Sequence, residues 1–169
     1  NEALNQALYA TRKYKENIAS TIKPIASEEK ITVDIGLDLP LAGTLDVITD
    51  EDIIDDIKVR GASKNQFWAD RDIQATFYYL LHKAYYGEYP NGFRYDQIIT
   101  LKTSTKYVPI FTRRTDADIN RLMLYIQRFI DDLNTGKYRP ADPDSWICSP
   151  LWCGFYPTCP YGGLNRVAA

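Results

Sequence analysis

Two aspartates and a lysine, Asp46, Asp56 and Lys58, stand in two runs, 41–49 (LAGTLDVIT) and 52–60 (DIIDDIKVR), that flank an acidic turn at Asp50 and Glu51. Aliphatic and β-branched residues dominate both runs, which read as the strands of a hairpin. A turn centred on Glu51 sets Asp46 opposite Asp56 and Thr44 opposite Lys58. Period-two alternation then collects Thr44, Asp46, Ile48, Ile54, Asp56 and Lys58 on one face, and Leu45, Val47, Ile53, Asp55, Ile57 and Val59 on the other. A register shifted by one residue mixes charge and hydrocarbon on both faces, so the first is preferred. Two carboxylates this close repel, and one stays protonated unless a cation joins them. Magnesium is the natural choice, because it is hard and is commonly held by one or two carboxylates with water and phosphate. Lys58 on the same face could orient or deprotonate an attacking water, or neutralise charge building on phosphorus. The chemistry these three describe is metal-assisted phosphodiester hydrolysis.

Other elements must hold the hairpin. Leu4, Leu8, Tyr14, Ile18 and Ile22 recur at roughly helical spacing before Pro24, which predicts a helix over 1–22. Residues 30–39 (KITVDIGLDL) read as a further strand, ended by Pro40. The segment 66–86 has neither Gly nor Pro and reads as one long helix, with Gly87, Pro90, Asn91 and Gly92 punctuating its end. Strands follow at 93–103 and 106–112, and Pro109 suggests an edge position for the second. Thr115 with Asp118 three residues on marks the start of a helix over 116–134, closed by Asn134 and Gly136. The order is an α/β arrangement with one central mixed sheet flanked by helices. The expected division is a core over 1–136 and an irregular, cysteine-containing segment over 137–169 packed on it.

The 169 residues carry 20 Lys and Arg against 22 Asp and Glu, a net charge of −2, which excludes a polybasic coating mode but not a local basic rim. No apolar run approaches the ~18 residues that span a membrane. The chain opens at Asn1 without a charged-then-apolar signal segment, and Met123 is its one methionine, so an upstream part is expected. One helix-borne histidine, His82, makes a Ser–His–Asp triad improbable, and no glycine-rich loop of P-loop or Rossmann spacing occurs.

Four segments in order resemble the PD-(D/E)xK nuclease superfamily, in particular its RecB-like exonuclease branch. They are Gly43-Thr-Leu-Asp46, then Ile53-Ile-Asp-Asp56-Ile-Lys58, then Gln74 and Tyr78 within Asp72-Ile-Gln-Ala-Thr-Phe-Tyr78, and finally Trp146-Ile-Cys148 with Trp152-Cys153 through Cys159. The resemblance covers about residues 28–160. It implies a restriction-endonuclease-like core that cleaves DNA with Mg2+ or Mn2+. Asp46 and Asp56 would bind metal with the backbone carbonyl of Ile57, Lys58 would be catalytic, and Gln74 and Tyr78 would reach the site from the helix. Such enzymes usually add an acidic or histidine residue from an earlier helix, for which Glu2, Glu16, Glu28 and Glu29 are the available candidates. Asp55 beside Asp56 is unusual, and alternation with Lys58 favours Asp56 as the ligand.

Cys148, Cys153 and Cys159 cannot form a closed set of disulfides, and a cytoplasmic enzyme would keep them reduced. The resemblance implies a [4Fe–4S] cluster on these three with a fourth cysteine upstream; zinc is the other candidate, and three ordinary thiols are an equal alternative. Arg60, Lys64 and Arg71 surround the proposed site and could grip DNA phosphates, with Phe67 and Trp68 available to stack on unpaired bases, although a solvated loop and a core-facing aromatic pair weigh equally. Arg113 and Arg114 could also touch the DNA backbone, but a solvated pair at a strand end is the usual case. The function expected is a metal-dependent DNA exonuclease in bacterial or phage recombination or repair, acting on linear ends or single strands, with a recombination or helicase partner possible. The alternatives are a non-catalytic DNA-binding or structural subunit of the same fold, and a site-specific endonuclease.

Overall fold

Hydrogen-bonded strands can turn back on themselves through a short loop only when antiparallel; a parallel neighbour needs a crossover, usually helical. The computed structural model, which describes residues 2–101, 104–137, 140–142 and 144–161, uses both. Its elements in order are α1 (Glu2–Asn17), β1 (Pro24–Val33), β2 (Leu41–Thr49), β3 (Ile53–Arg60), α2 (Gln66–Ala69), α3 (Ile73–Tyr86), β4 (Gly92–Thr100), β5 (Thr105–Thr112) and α4 (Asp116–Asn134). The five strands form one mixed sheet in the order β1-β2-β3-β4-β5. Three of the neighbouring pairs are antiparallel, and β3 with β4 is parallel. The parallel pair forces α2 and α3 across the sheet between them. Pro109 lies on β5, an edge strand, as its missing N–H requires.

Each sheet face buries its own cluster. Ile31, Leu41, Leu45, Ile48, Ile54, Phe93 and Tyr95 pack with Tyr79, Leu80 and Leu81 of α3 and with Ile119 and Leu122 of α4. On the other face Val47 and Ile98 pack with Ala10, Ile18 and Ile22, and Tyr14, Ile57 and Tyr107 close the edges. The chain forms two compact units, Asn1–Arg128 and Phe129–Ala169. The first carries the sheet; in the second, past α4, the described residues form turns. Among the described residues no helix is long and apolar enough to cross a membrane.

Four expectations need correction. The first helix ends at Asn17 rather than at 22, and Ile18 is instead fully buried beyond its end. The first strand runs Pro24–Val33 rather than 30–39, because the polar stretch Ser27-Glu28-Glu29 pairs with β2 along an exposed edge. The third concerns β4, which stops at Thr100. Finally, the helix expected over 66–86 is broken in two. Asn65 accepts from Trp68 N to cap α2, and Asp72 accepts from Gln74 N to cap α3. The break between them is pinned from β5's end by Arg114, whose guanidinium donates to the carbonyls of Ala69 (2.7 Å) and Asp72 (2.9 Å) and to the hydroxyls of Thr76 and Thr112. Arg114 is thus a structural clamp rather than a solvated strand-end charge.

Truncating this half-buried clamp removes the charged donor from the Ala69 and Asp72 carbonyls. Arg114→Ala is expected to destabilise the chain by about 2–3 kcal/mol, the range for hydrogen bonds from a charged group, read as a lowered midpoint in urea unfolding. An unchanged midpoint would contradict the clamp.

Candidate active site

β2 and β3 pair in the register with the turn at Glu51, with Val47 opposite Asp55 and Ile48 opposite Ile54. The Cα pairing ends there. The Asp46 carboxylate takes over, its Oδ2 accepting from the backbone N–H of Ile57 at 3.1 Å. The expected alternation holds along β3 but fails in β2. Leu45 packs with Ile48 in the α3-side cluster, not with Val47 on the α1 side, so β2 switches face at Asp46. On β1 the residue at this level, Glu28, has a φ of 51°, so both strands kink beside Asp46. In an extended strand a residue's N–H and C=O leave along the same edge. The Ile57 carbonyl therefore also points into the gap opened between β2 and β3.

Asp56 and Lys58, two residues apart, point to the α3 side. Asp56 is fully buried, and the Lys58 Nζ sits 2.9 Å from its Oδ1 and 2.8 Å from its Oδ2, aligned for a hydrogen bond only with Oδ1. Gln74 Nε2 donates to the same Oδ1 at 3.1 Å and to the Tyr78 hydroxyl at 3.2 Å. The helix comes this close because Gly43 lies beneath it: a Cβ there would fall 2.6 Å from Leu81 Cδ1 and 3.5 Å from the Tyr78 ring. Burial pushes the Asp56 carboxyl above its ordinary range, the Lys58 ammonium opposes this, and the charges of Asp46 and Asp72 add to the rise. Asp56 Oδ2 is left buried with no directed hydrogen bond. The structure thus brings Asp46, Asp56, Ile57, Lys58, Gln74 and Tyr78 together. The donor set suits a hard cation, since it offers a carboxylate oxygen with no directed hydrogen bond, a second carboxylate and a carbonyl.

Asp72 is a residue of this site that the sequence reading quoted without a role. Its Oδ1 accepts from Gln74 N, and its Oδ2 accepts from the Tyr95 hydroxyl at 2.8 Å. Burial raises the Tyr95 hydroxyl, and the Asp72 carboxylate reinforces it. The signal available in sequence was an aspartate directly before an apolar-periodic helix. The basic residues divide. Arg60 lies over the Trp68 ring at 4.6 Å and Arg71 over the Phe67 ring at 3.4 Å, while the Lys64 backbone is held by the buried Gln97 amide. Glu16 pairs with Lys13 on α1, Glu28 and Glu29 lie on β1, and the side chain of Glu2 is outside the described residues. His82 is buried between the Glu88 carbonyl and the Asp52 carboxylate. The three cysteines are half-buried, and among the described residues no three His, Cys, Asp or Glu side chains are grouped to hold an ion. The thiols as arranged do not fit a cluster site.

Asp55 points to the opposite face. Its Oδ2 accepts from Arg94 at 2.6 Å, and Arg94 also pairs with Asp96, which accepts from the Tyr107 hydroxyl at 2.7 Å. Occupied there, Asp55 is not available on the Lys58 face.

No protein-family model matches the chain, and no curated protein matches it. Solved structures do. A presumed exonuclease from Eubacterium rectale aligns with a TM-score of 0.63 at 15% identity, covering 88% of this chain and 59% of that one. The structure of SSO0001 aligns with a TM-score of 0.50 at 17% identity, covering 94% of this chain and 69% of that one. The chain therefore shares its mixed five-stranded α/β fold with a protein described as an exonuclease, and spans about 59% of that protein's length.

Burial, followed by the charge of Asp96, raises the Asp55 carboxyl to about 6, against the opposing pull of Arg94. A carboxyl raised in the folded state favours folding below its unfolded value of 3.8, and that contribution is lost as pH rises through about 6. A shift of this size corresponds to about 3 kcal/mol. Asp56 and Asp96 are raised in the same direction and add to the slope. Stability from urea unfolding is thus expected to fall between pH 4 and pH 7, with a shallower fall in Asp55→Asn. Equal slopes for the two proteins would refute the assignment.

Proposed function

We propose that the chain is a metal-dependent deoxyribonuclease of the PD-(D/E)xK kind, on its RecB-like branch, hydrolysing DNA phosphodiester bonds from ends in recombination or repair. One observation carries this reading above the others. A fully buried carboxylate, Asp56, shares a strand face with Lys58 and meets Gln74 from the crossover helix, while Asp46 of the neighbouring strand closes on Ile57. A surface hairpin with scattered charges has no reason to bury an aspartate beside an ammonium and leave one oxygen without a directed hydrogen bond.

In this reading Asp46, Asp56 and the Ile57 carbonyl hold Mg2+ or Mn2+. The bound ion would supply a more acidic water and neutralise charge on the scissile phosphate. Lys58 Nζ, held at Asp56, is placed to hold the attacking water or to offset the charge that grows on the phosphoryl oxygens. Gln74 orients Asp56 through Oδ1, and leaves Oδ2 for the ion. Tyr78 in turn receives the second proton of the Gln74 amide and so fixes which way that amide faces. The fold likeness to a presumed exonuclease supports the same reading. Arg60, Lys64 and Arg71 supply positive charge beside the site for the phosphate backbone, whose recognition is electrostatic. The substrate is therefore DNA, engaged at linear ends or single strands.

Purified protein with Mn2+ is expected to degrade linear DNA progressively. Lys58→Ala should slow this by at least ~100-fold, the usual contribution of a positioned proton-transfer group, with DNA affinity kept to within a few-fold in a gel-shift titration. Binding without cleavage under either Mg2+ or Mn2+ would instead establish a non-catalytic DNA-binding subunit, and discrete fragments would mark an endonuclease.

A further inference from the structure

The break between α2 and α3 leaves a hollow lined by Phe67, Trp68, Arg71, Asp72 and Ile73, with a volume of about 390 Å3. Its wall residues Trp68 and Asp72 connect it to the proposed catalytic carboxylate through Tyr95. Asp56 pairs with Tyr95 across β3 and β4, the Tyr95 hydroxyl is bonded to Asp72, and the Tyr95 ring packs on Trp68 at 4.7 Å between centroids. The two aromatic side chains of α2 are used differently. Trp68 is half-buried, with Tyr95 against it and the Arg60 guanidinium 4.6 Å from its ring. Phe67 is 65% exposed, and its one close charged neighbour is Arg71, whose guanidinium lies 3.4 Å from the ring centroid and is tied back by a hydrogen bond to the Phe67 carbonyl. The guanidinium covers one face of the ring, so a flat partner has the other face to stack on, with a fixed cation close enough to meet an attached anion.

We infer that this hollow is a nucleobase pocket: one unpaired base of the DNA strand stacks on Phe67 while Arg71 meets the flanking phosphate. Aromatic rings stack on any base, so the pocket reads the presence of an unpaired base and not its identity. Arg71 and Ile73 also line a second hollow of about 240 Å3, bounded by Arg121 and Tyr125. A base-paired end cannot place a base on Phe67 without unstacking, so the pocket selects frayed or single-stranded ends. Trp68, already packed against Tyr95, is a wall of this pocket and not its stacking platform, although the sequence offered both rings for stacking.

The inference rests on the nuclease reading for its location next to a scissile bond, but its test does not require cleavage. Single-stranded oligonucleotides in which one abasic site is walked along the strand are titrated against the protein in EDTA, with 2-aminopurine at the same positions as a fluorescent reporter. Wild type is expected to lose about 5- to 150-fold in affinity when the abasic site occupies one particular position, matching ~1–3 kcal/mol for a stacked base. At that position 2-aminopurine should be quenched on binding. Phe67→Ala, at an exposed site, should remain folded by circular dichroism, bind every abasic oligonucleotide alike and lose the quenching; Phe67→Tyr should restore both. A flat abasic profile in wild type, an unchanged profile in Phe67→Ala, or no binding of single strands would overturn the pocket. If the profile appears while no DNA is degraded with metal, the pocket stands and the nuclease reading falls; if DNA is degraded with a flat profile, the reverse holds.

Discussion

A carboxylate removed from water must be given a counter-charge or a proton, and Asp56 is the place where this constraint shapes the molecule. It sits on a central strand of the sheet, fully buried, with Lys58 two residues along the same face. The ammonium alone does not satisfy it, because only one carboxylate oxygen receives directed hydrogen bonds, from Lys58 and Gln74. Everything close to the site follows from meeting or preserving that demand. Gln74 must come from a helix seated tightly on the sheet, Gly43 must have no side chain, and Asp46 must leave the regular ladder.

The topology supplies the helix. Because β3 and β4 run parallel, the chain has to cross over between them, and α3 lies over the polar side of β3 as a consequence. The Arg114 clamp decides where that helix begins. By breaking 66–86 at Asp70 to Asp72, it makes Asp72 a cap, brings Gln74 into the first turn, and turns the short α2 aside so that Phe67 and Trp68 line a hollow with Asp72.

The two faces of β3 treat adjacent aspartates differently. Asp55 is neutralised within the fold by Arg94 beside Asp96 and Tyr107, with a carboxyl raised by burial. Asp56 meets a lysine and an amide and keeps one oxygen without a directed hydrogen bond. Two neighbouring residues of one type thus acquire a structural role and a candidate chemical one, and the pleat of the strand separates them.

What the sequence determined by itself is whatever repeats with a short period. Alternation along 52–60 put Asp56 and Lys58 on one face and Asp55 on the other, and apolar spacing delimited α4 from Asp116 to Asn134, whereas Gln74 and Tyr78 were expected at the site only through the resemblance to a nuclease family. The tertiary structure alone decided the features that need a distant partner. The face switch of β2 at Asp46 depends on Ile57 eleven residues away, the helix break on Arg114, and the start of β1 on pairing with β2. Periodicity is written in neighbouring residues, whereas a backbone group that takes its hydrogen bond from across the fold leaves no local pattern to read.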